Sequence, residues 1–211
     1  MQPDTYIAPV GQAQASQVIK NSRFIGTAQG AEDADAAQGC IAELRSRYPD
    51  ASHHAWAYRV GVERALTAFS DDGEPGGTAG RPILAVLEGS GLSNTVVVVT
   101  RYFGGTKLGA GGLVRAYSGT ASLVLAELSR AEYAHHQIIR LPLDYAQHPH
   151  AVYLASQLGV PILETAFKEH VELVLAVRPN QADVLQQALG EVGVYGLDWP
   201  ALLEAERYLP L

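Results

Sequence analysis

Residues 95–100, TVVVVT, form a run of β-branched positions that leads into Arg101-Tyr102-Phe103. Both sets of alternating positions in the valine run are apolar, which predicts a strand buried on two faces. The period then changes. Leu113, Tyr117, Thr120, Val124 and Leu128 recur along one side of a helix predicted over 112–128. Upstream, 5–10 and 23–28 read as strands. Ala37, Ile41, Leu44 and Tyr48 mark the inner face of a helix over 32–48, which Pro49 stops. Residues 54–60 alternate like a strand, with 66–69 as partner across a turn at 61–64. Residues 70–81, SDDGEPGGTAGR, are too rich in Gly, Asp and Pro to be regular, and a helix starts at 82–87 with proline in its first turn.

After residue 130 glycine becomes rarer and a second pattern begins. Strand 137–145, helix 148–158, strands 160–167 and 171–177, helix 181–189 and a last strand 192–197 give the order β-α-β-β-α-β, the ferredoxin-like split unit. The chain therefore reads as α+β in two domains, 1–132 and 137–211, with a boundary near 132–137.

Composition narrows the function. The chain has 211 residues, 47% of them hydrophobic, and a net charge of −7. That charge argues against a protein that coats nucleic acid non-specifically, although it permits a local basic patch. A single cysteine, Cys40, excludes an internal disulfide and a cysteine-based metal cluster, and reads as a small core residue. The first residues, MQPDTYIAPV, lack a basic, apolar signal pattern. No stretch reaches the roughly 18 apolar residues of a membrane span. A cytoplasmic protein with no membrane partner is expected.

The candidate chemistry lies in two glycine-rich segments. The first follows the valine strand: Arg101, Tyr102, Phe103, Gly104, Gly105, Lys107, Gly109, Gly111, Gly112 and Arg115. It holds cations and no Asp or Glu, between a strand and a helix start whose unpaired N–H groups favour anions, so it reads as a seat for a phosphate or nucleic acid. Tyr102-Phe103 would offer bases a stacking platform. The spacing is neither a Walker A loop nor a dinucleotide-binding fingerprint, and tight packing without a ligand is the alternative. The second segment carries Asp71, Asp72 and Glu74. These carboxylates suit a hard cation or acid–base work, or else a solvated turn in which Asp caps backbone N–H groups. His53 and His54 point to opposite faces of a strand and would not chelate one ion together, although one of them could join Asp71 or Glu74. His54, Asp71, Asp72, Glu74, Thr78 and Arg81 form the possible accessory site. No nucleophile elbow occurs.

Three motifs in order, HAWAYR from His54, DDGEPGGTAGRP from Asp71 and TRYFGGTKLGAGGLVRAY from Thr100, resemble the IMPACT/YigZ family. The resemblance covers roughly residues 1–130, and the remainder is similar to the small C-terminal domain of the bacterial two-domain members. It implies an N-terminal domain like the second domain of ribosomal protein S5 and a ferredoxin-like C-terminal domain. Eukaryotic members regulate translation by binding an activator protein and so restraining a kinase. They carry an extra N-terminal domain, which is not expected here because the first strand begins within a few residues of the start. No enzymatic activity attaches to the family motifs.

The leading expectation is a non-enzymatic, translation-associated regulatory protein. It would contact RNA, the ribosome or a protein factor through the face bearing Arg101, Lys107 and Arg115, with no cofactor and no metal. The rival is a metal-assisted enzyme or small-ligand binder for phosphate compounds, in which the Asp71–Glu74 carboxylates face the glycine loop.

Overall fold

The computed structural model describes residues 4–62 and 64–210. The chain is α+β. It divides into two compact units that meet at Glu132 and Tyr133.

The first unit contains β1 (Thr5–Pro9), β2 (Gln12–Ile19), β3 (Ser22–Gly30), α1 (Ala34–Arg47), β4 (His53–Val60), β5 (Leu66–Ser70), α2 (Gly80–Gly89), β6 (Thr95–Tyr102) and α3 (Ala110–Glu127). Its antiparallel sheet has the order β2-β3-β6-β4-β5, with the valine strand at the centre. Both faces of β6 are buried, as its sequence predicts. Val96 and Val98 pack with Cys40, Ile41 and Leu44 of α1. Val97 and Val99 pack with Ile83 and Leu87 of α2 and Tyr117 and Val124 of α3. Asp33 starts α1 by accepting a 2.8 Å hydrogen bond from the Ala36 N–H.

Strand β2 is absent from the sequence reading. Its outward positions are Gln12, Gln14, Ser16 and Val18 and its inward positions Ala13, Ala15, Gln17 and Ile19, a hydrophobic alternation too weak to signal a strand. Ala13, Ala15 and Ile19 nevertheless lean on the α3 side of the core. Lys20 and Asn21, both with positive φ, turn β2 into β3, as a two-residue hairpin requires.

The second unit contains β7 (Arg130–Leu143), α4 (His148–Gln157), β8 (Ile162–Phe167), β9 (Val171–Val177), α5 (Ala182–Glu191), the short α6 (Trp199–Leu202) and β10 (Leu203–Pro210). The antiparallel order β10-β7-β9-β8 completes the split β-α-β-β-α-β arrangement. The last strand is not at 192–197. Gly193 and Gly196 there have positive φ, and Val192, Val194 and Leu197 serve as packing residues of a loop over the core. The strand instead forms at Leu203–Pro210, whose sequence is only patchily apolar. Residues 132–137, where the boundary is expected, lie within strand β7. From Tyr133 to Gln137 they pair with β10. No helix among the described residues is long and apolar enough to cross a membrane.

Candidate functional site

Sheet register builds the site. Phe24 on β3, Arg101 on β6 and His53 on β4 are directly paired across three strands, so their side chains share one face. Arg101 is only 4% exposed. Its guanidinium lies 5.4 Å from the ring centre of Phe24 and 5.3 Å from that of Phe103, a cation held between two aromatic faces. Its Nη1 donates to Glu74 Oε1 at 2.6 Å and its Nη2 to Ser22 Oγ at 3.3 Å. The Tyr117 hydroxyl, from α3, donates to the same Glu74 Oε1 at 2.6 Å. Burial, and then the Glu74 carboxylate, push the Tyr117 phenol far above its ordinary pKa, which keeps it a donor.

Arg101 is therefore not the free cation that the sequence suggests. Its charge is matched by a carboxylate 27 residues away in the chain. Lys107 and Arg115 remain exposed and form no ion pair among the described residues.

The acidic loop separates its three carboxylates. Asp71 accepts hydrogen bonds from the backbone N–H groups of Gly77, Ala79 and Gly80 at 2.8, 2.9 and 2.8 Å, and so caps α2 from outside the helix. Burial raises its pKa, but these three bonds outweigh that and hold it below the usual aspartate value. Asp72 pairs with Arg45 at 2.6 Å and accepts from the His54 N–H at 2.6 Å. Glu74 alone turns inward to Arg101. Thr78 is buried and closes the turn by donating to the Pro75 carbonyl at 2.7 Å. No group of three His, Cys, Asp or Glu among the described residues is placed to hold a metal ion.

The glycine segment passes beside this cluster. A β-carbon on Gly104 would stand 2.1 Å from the Asn21 backbone, so only glycine lets the β2–β3 turn approach. Gly105 and Gly109 have positive φ. Gly112 lies against Leu108, and Gly111 faces open space apart from the Arg115 side chain. Gly109 begins α3 with no side-chain cap, and the Gly109 carbonyl accepts from the Gly112 and Leu113 N–H groups. The N–H groups of Ala110 and Gly111 precede those bonds.

Between the two segments lies a cavity of about 370 Å³, lined by His53, Glu74, Pro75, Arg101, Phe103, Lys107, Leu108, Gly109, Ala110 and Leu113. Glu74 and Lys107 thus face one space. His53 is the polar lining residue that the candidate set omits. Its place depends on pairing with β6, which residue type does not reveal. The predicted His54 is buried on the opposite face, where burial lowers its pKa against the pull of Asp72. Tyr102 also points away and donates to Asp50 Oδ1 at 3.0 Å, so Phe103 stands without it at the cavity. Arg81 is exposed at the start of α2, above a shallow depression shared with Val114 and Ser118.

Most of this cavity is built from the second and third sequence motifs, and comparison with known proteins gives the chain a family. The Impact N-terminal domain matches residues 20–125, and a domain of unknown function, DUF1949, matches 141–192. An IMPACT family member of Haemophilus influenzae is 35% identical over 188 residues, 88% of this chain and 91% of that one. The chain belongs to the IMPACT family. The Escherichia coli IMPACT family member YigZ is 35% identical over 82% of this chain and 86% of its own. A solved structure described as a hypothetical protein shares the fold at a TM-score of 0.66 and 32% identity, covering 90% of this chain and 94% of that one. In this IMPACT family member, both segments that meet at the cavity lie within the matched N-terminal domain.

Proposed function

We propose that this IMPACT family member is a non-enzymatic, cytoplasmic regulator associated with translation, and that it engages phosphate-bearing RNA, alone or on the ribosome, through its glycine loop. The observation that carries this reading is the pair of exposed, unpaired cations, Lys107 and Arg115, at the open start of α3. The helix dipole and free N–H groups there favour an anion. Family membership supports the link to translation through the regulatory role of the eukaryotic members. With a net charge of −7, binding must be local, because the rest of the surface repels a polyanion. Filter binding of structured RNA at several salt concentrations tests the reading. Salt-dependent binding tighter than about 10⁻⁴ M, the weak end of non-specific affinity, is expected.

A second reading, a small-ligand binder, gains support from the cavity itself, since Glu74 and Lys107 line it together. The separation of Asp71, Asp72 and Glu74 favours a binder over metal-assisted chemistry.

A further inference from the structure

We infer that the cavity between Phe103, Lys107 and Glu74 is a binding site for a ribonucleoside 5′-phosphate, either free or as the 5′-terminal residue of an RNA. The inference rests on the phosphate reading of the glycine loop and adds to it a sugar and a base.

One end of the cavity suits the phosphate. Lys107 and the uncapped start of α3, an 18-residue helix, supply an ammonium and backbone donors. Arg101 lines the same cavity, is 4% exposed, and has a buried Nε with no hydrogen-bond partner among the described residues. A buried donor left unsatisfied marks a site that lacks something to accept from it.

The wall formed by Glu74 and His53 repels phosphate and invites hydroxyls. Glu74 Oε1 is taken by Arg101 and Tyr117, while Oε2 accepts no hydrogen bond among the described residues. His53 Nδ1 lies 2.8 Å from the Asp72 carbonyl, so it carries the proton and donates. Nε2 is the acceptor nitrogen of that Nδ1–H tautomer and lies 3.9 Å from Glu74 Oε1. A carboxylate with an oxygen still free to accept, beside the His53 ring, calls for hydroxyl donors. The vicinal 2′ and 3′ hydroxyls of ribose provide them, and a carboxylate on a ribose hydroxyl is a recurrent solution in nucleotide sites.

Phe103 supplies the third element. Its ring is 49% exposed at the cavity, with the Arg101 guanidinium against it. An exposed ring beside a cation is a stacking surface for a base. The volume of about 370 Å³ falls within the usual range for small-molecule sites.

Calorimetric titration of the full chain with AMP, 2′-deoxy-AMP and adenosine tests the inference. AMP is expected to bind saturably, and each of the other two at least about tenfold more weakly, the size expected for losing a hydrogen bond to a charged group or the phosphate contacts. Lys107→Glu should erase the advantage of AMP over adenosine, and His53→Ala the advantage of AMP over 2′-deoxy-AMP, with both variants melting like the parent. An RNA oligonucleotide with a 5′-phosphate, compared with its 5′-hydroxyl twin, separates the two sources. A phosphate-dependent gain assigns the site to RNA ends, and AMP binding without that gain assigns it to free nucleotide. Equal binding of AMP and 2′-deoxy-AMP, or no saturable binding of either AMP or the phosphorylated RNA, overturns the inference. If structured RNA still binds with salt dependence in that case, the phosphate-bearing face stands without the nucleotide site. If it does not, both readings fall.

Discussion

Arg101 and Glu74 meet at 2.6 Å with side chains 5% and 4% exposed. The pair joins the central strand to the acidic loop, and Tyr117 adds α3 to the same carboxylate. A basic residue at the end of the valine strand is thus a structural counter-ion whose charge is matched by Glu74, and the cations beyond it carry the charge left unmatched.

Removing one partner should be far worse than removing both. Glu74→Ala leaves a buried guanidinium without its counter-charge and is expected to cost about 3–5 kcal/mol. Replacing both residues by methionine should restore much of that loss. Urea unfolding of the single and double variants checks this, and additive losses would mean that the two groups act independently.

Asp71 should matter through α2. Asp71→Ala strips the outside cap from that helix and is expected to cost about 1–2 kcal/mol. The folded pKa of Asp71 is depressed, so its contribution is complete above the unfolded value, about 3.9, and fades as pH falls through the lower folded value. Unfolding curves between pH 2 and 6 should therefore show a smaller loss on acidification for Asp71→Asn than for the parent.

The glycines of the loop should divide by their surroundings. Gly104→Ala must push the β2–β3 turn aside and is expected to lower the melting temperature clearly, whereas Gly111→Ala, on an open helical surface, should not lower it. Thermal melts of the two variants decide whether the segment is constrained where the structure places the close approach.

Much of the fold was legible because strong patterns match single elements. The valine strand buries both faces, and the periodic leucines and tyrosine of α3 face the core. Strand β2 escaped because alanine and glutamine alternate too weakly to signal a buried face. The last strand was misplaced because Val192, Val194 and Leu197 are apolar for a loop's packing and not for a ladder. The site was legible as two segments and not as contacts. Nothing local distinguishes Glu74 from Asp71 or Asp72, or His53 from His54. Those differences come from where the loop lands against β6 and from which face the register assigns.

Lys107 is the exposed cation at the cavity, and the proposed function gives it the role of a contact rather than a scaffold. The most direct measurement is the salt dependence of structured-RNA binding for the parent and for Lys107→Glu, with melting temperatures in parallel. An unchanged melting temperature, weaker binding, and a logarithmic salt slope reduced by roughly one for the lost phosphate contact are expected. Identical affinity and slope for the two proteins would contradict that role.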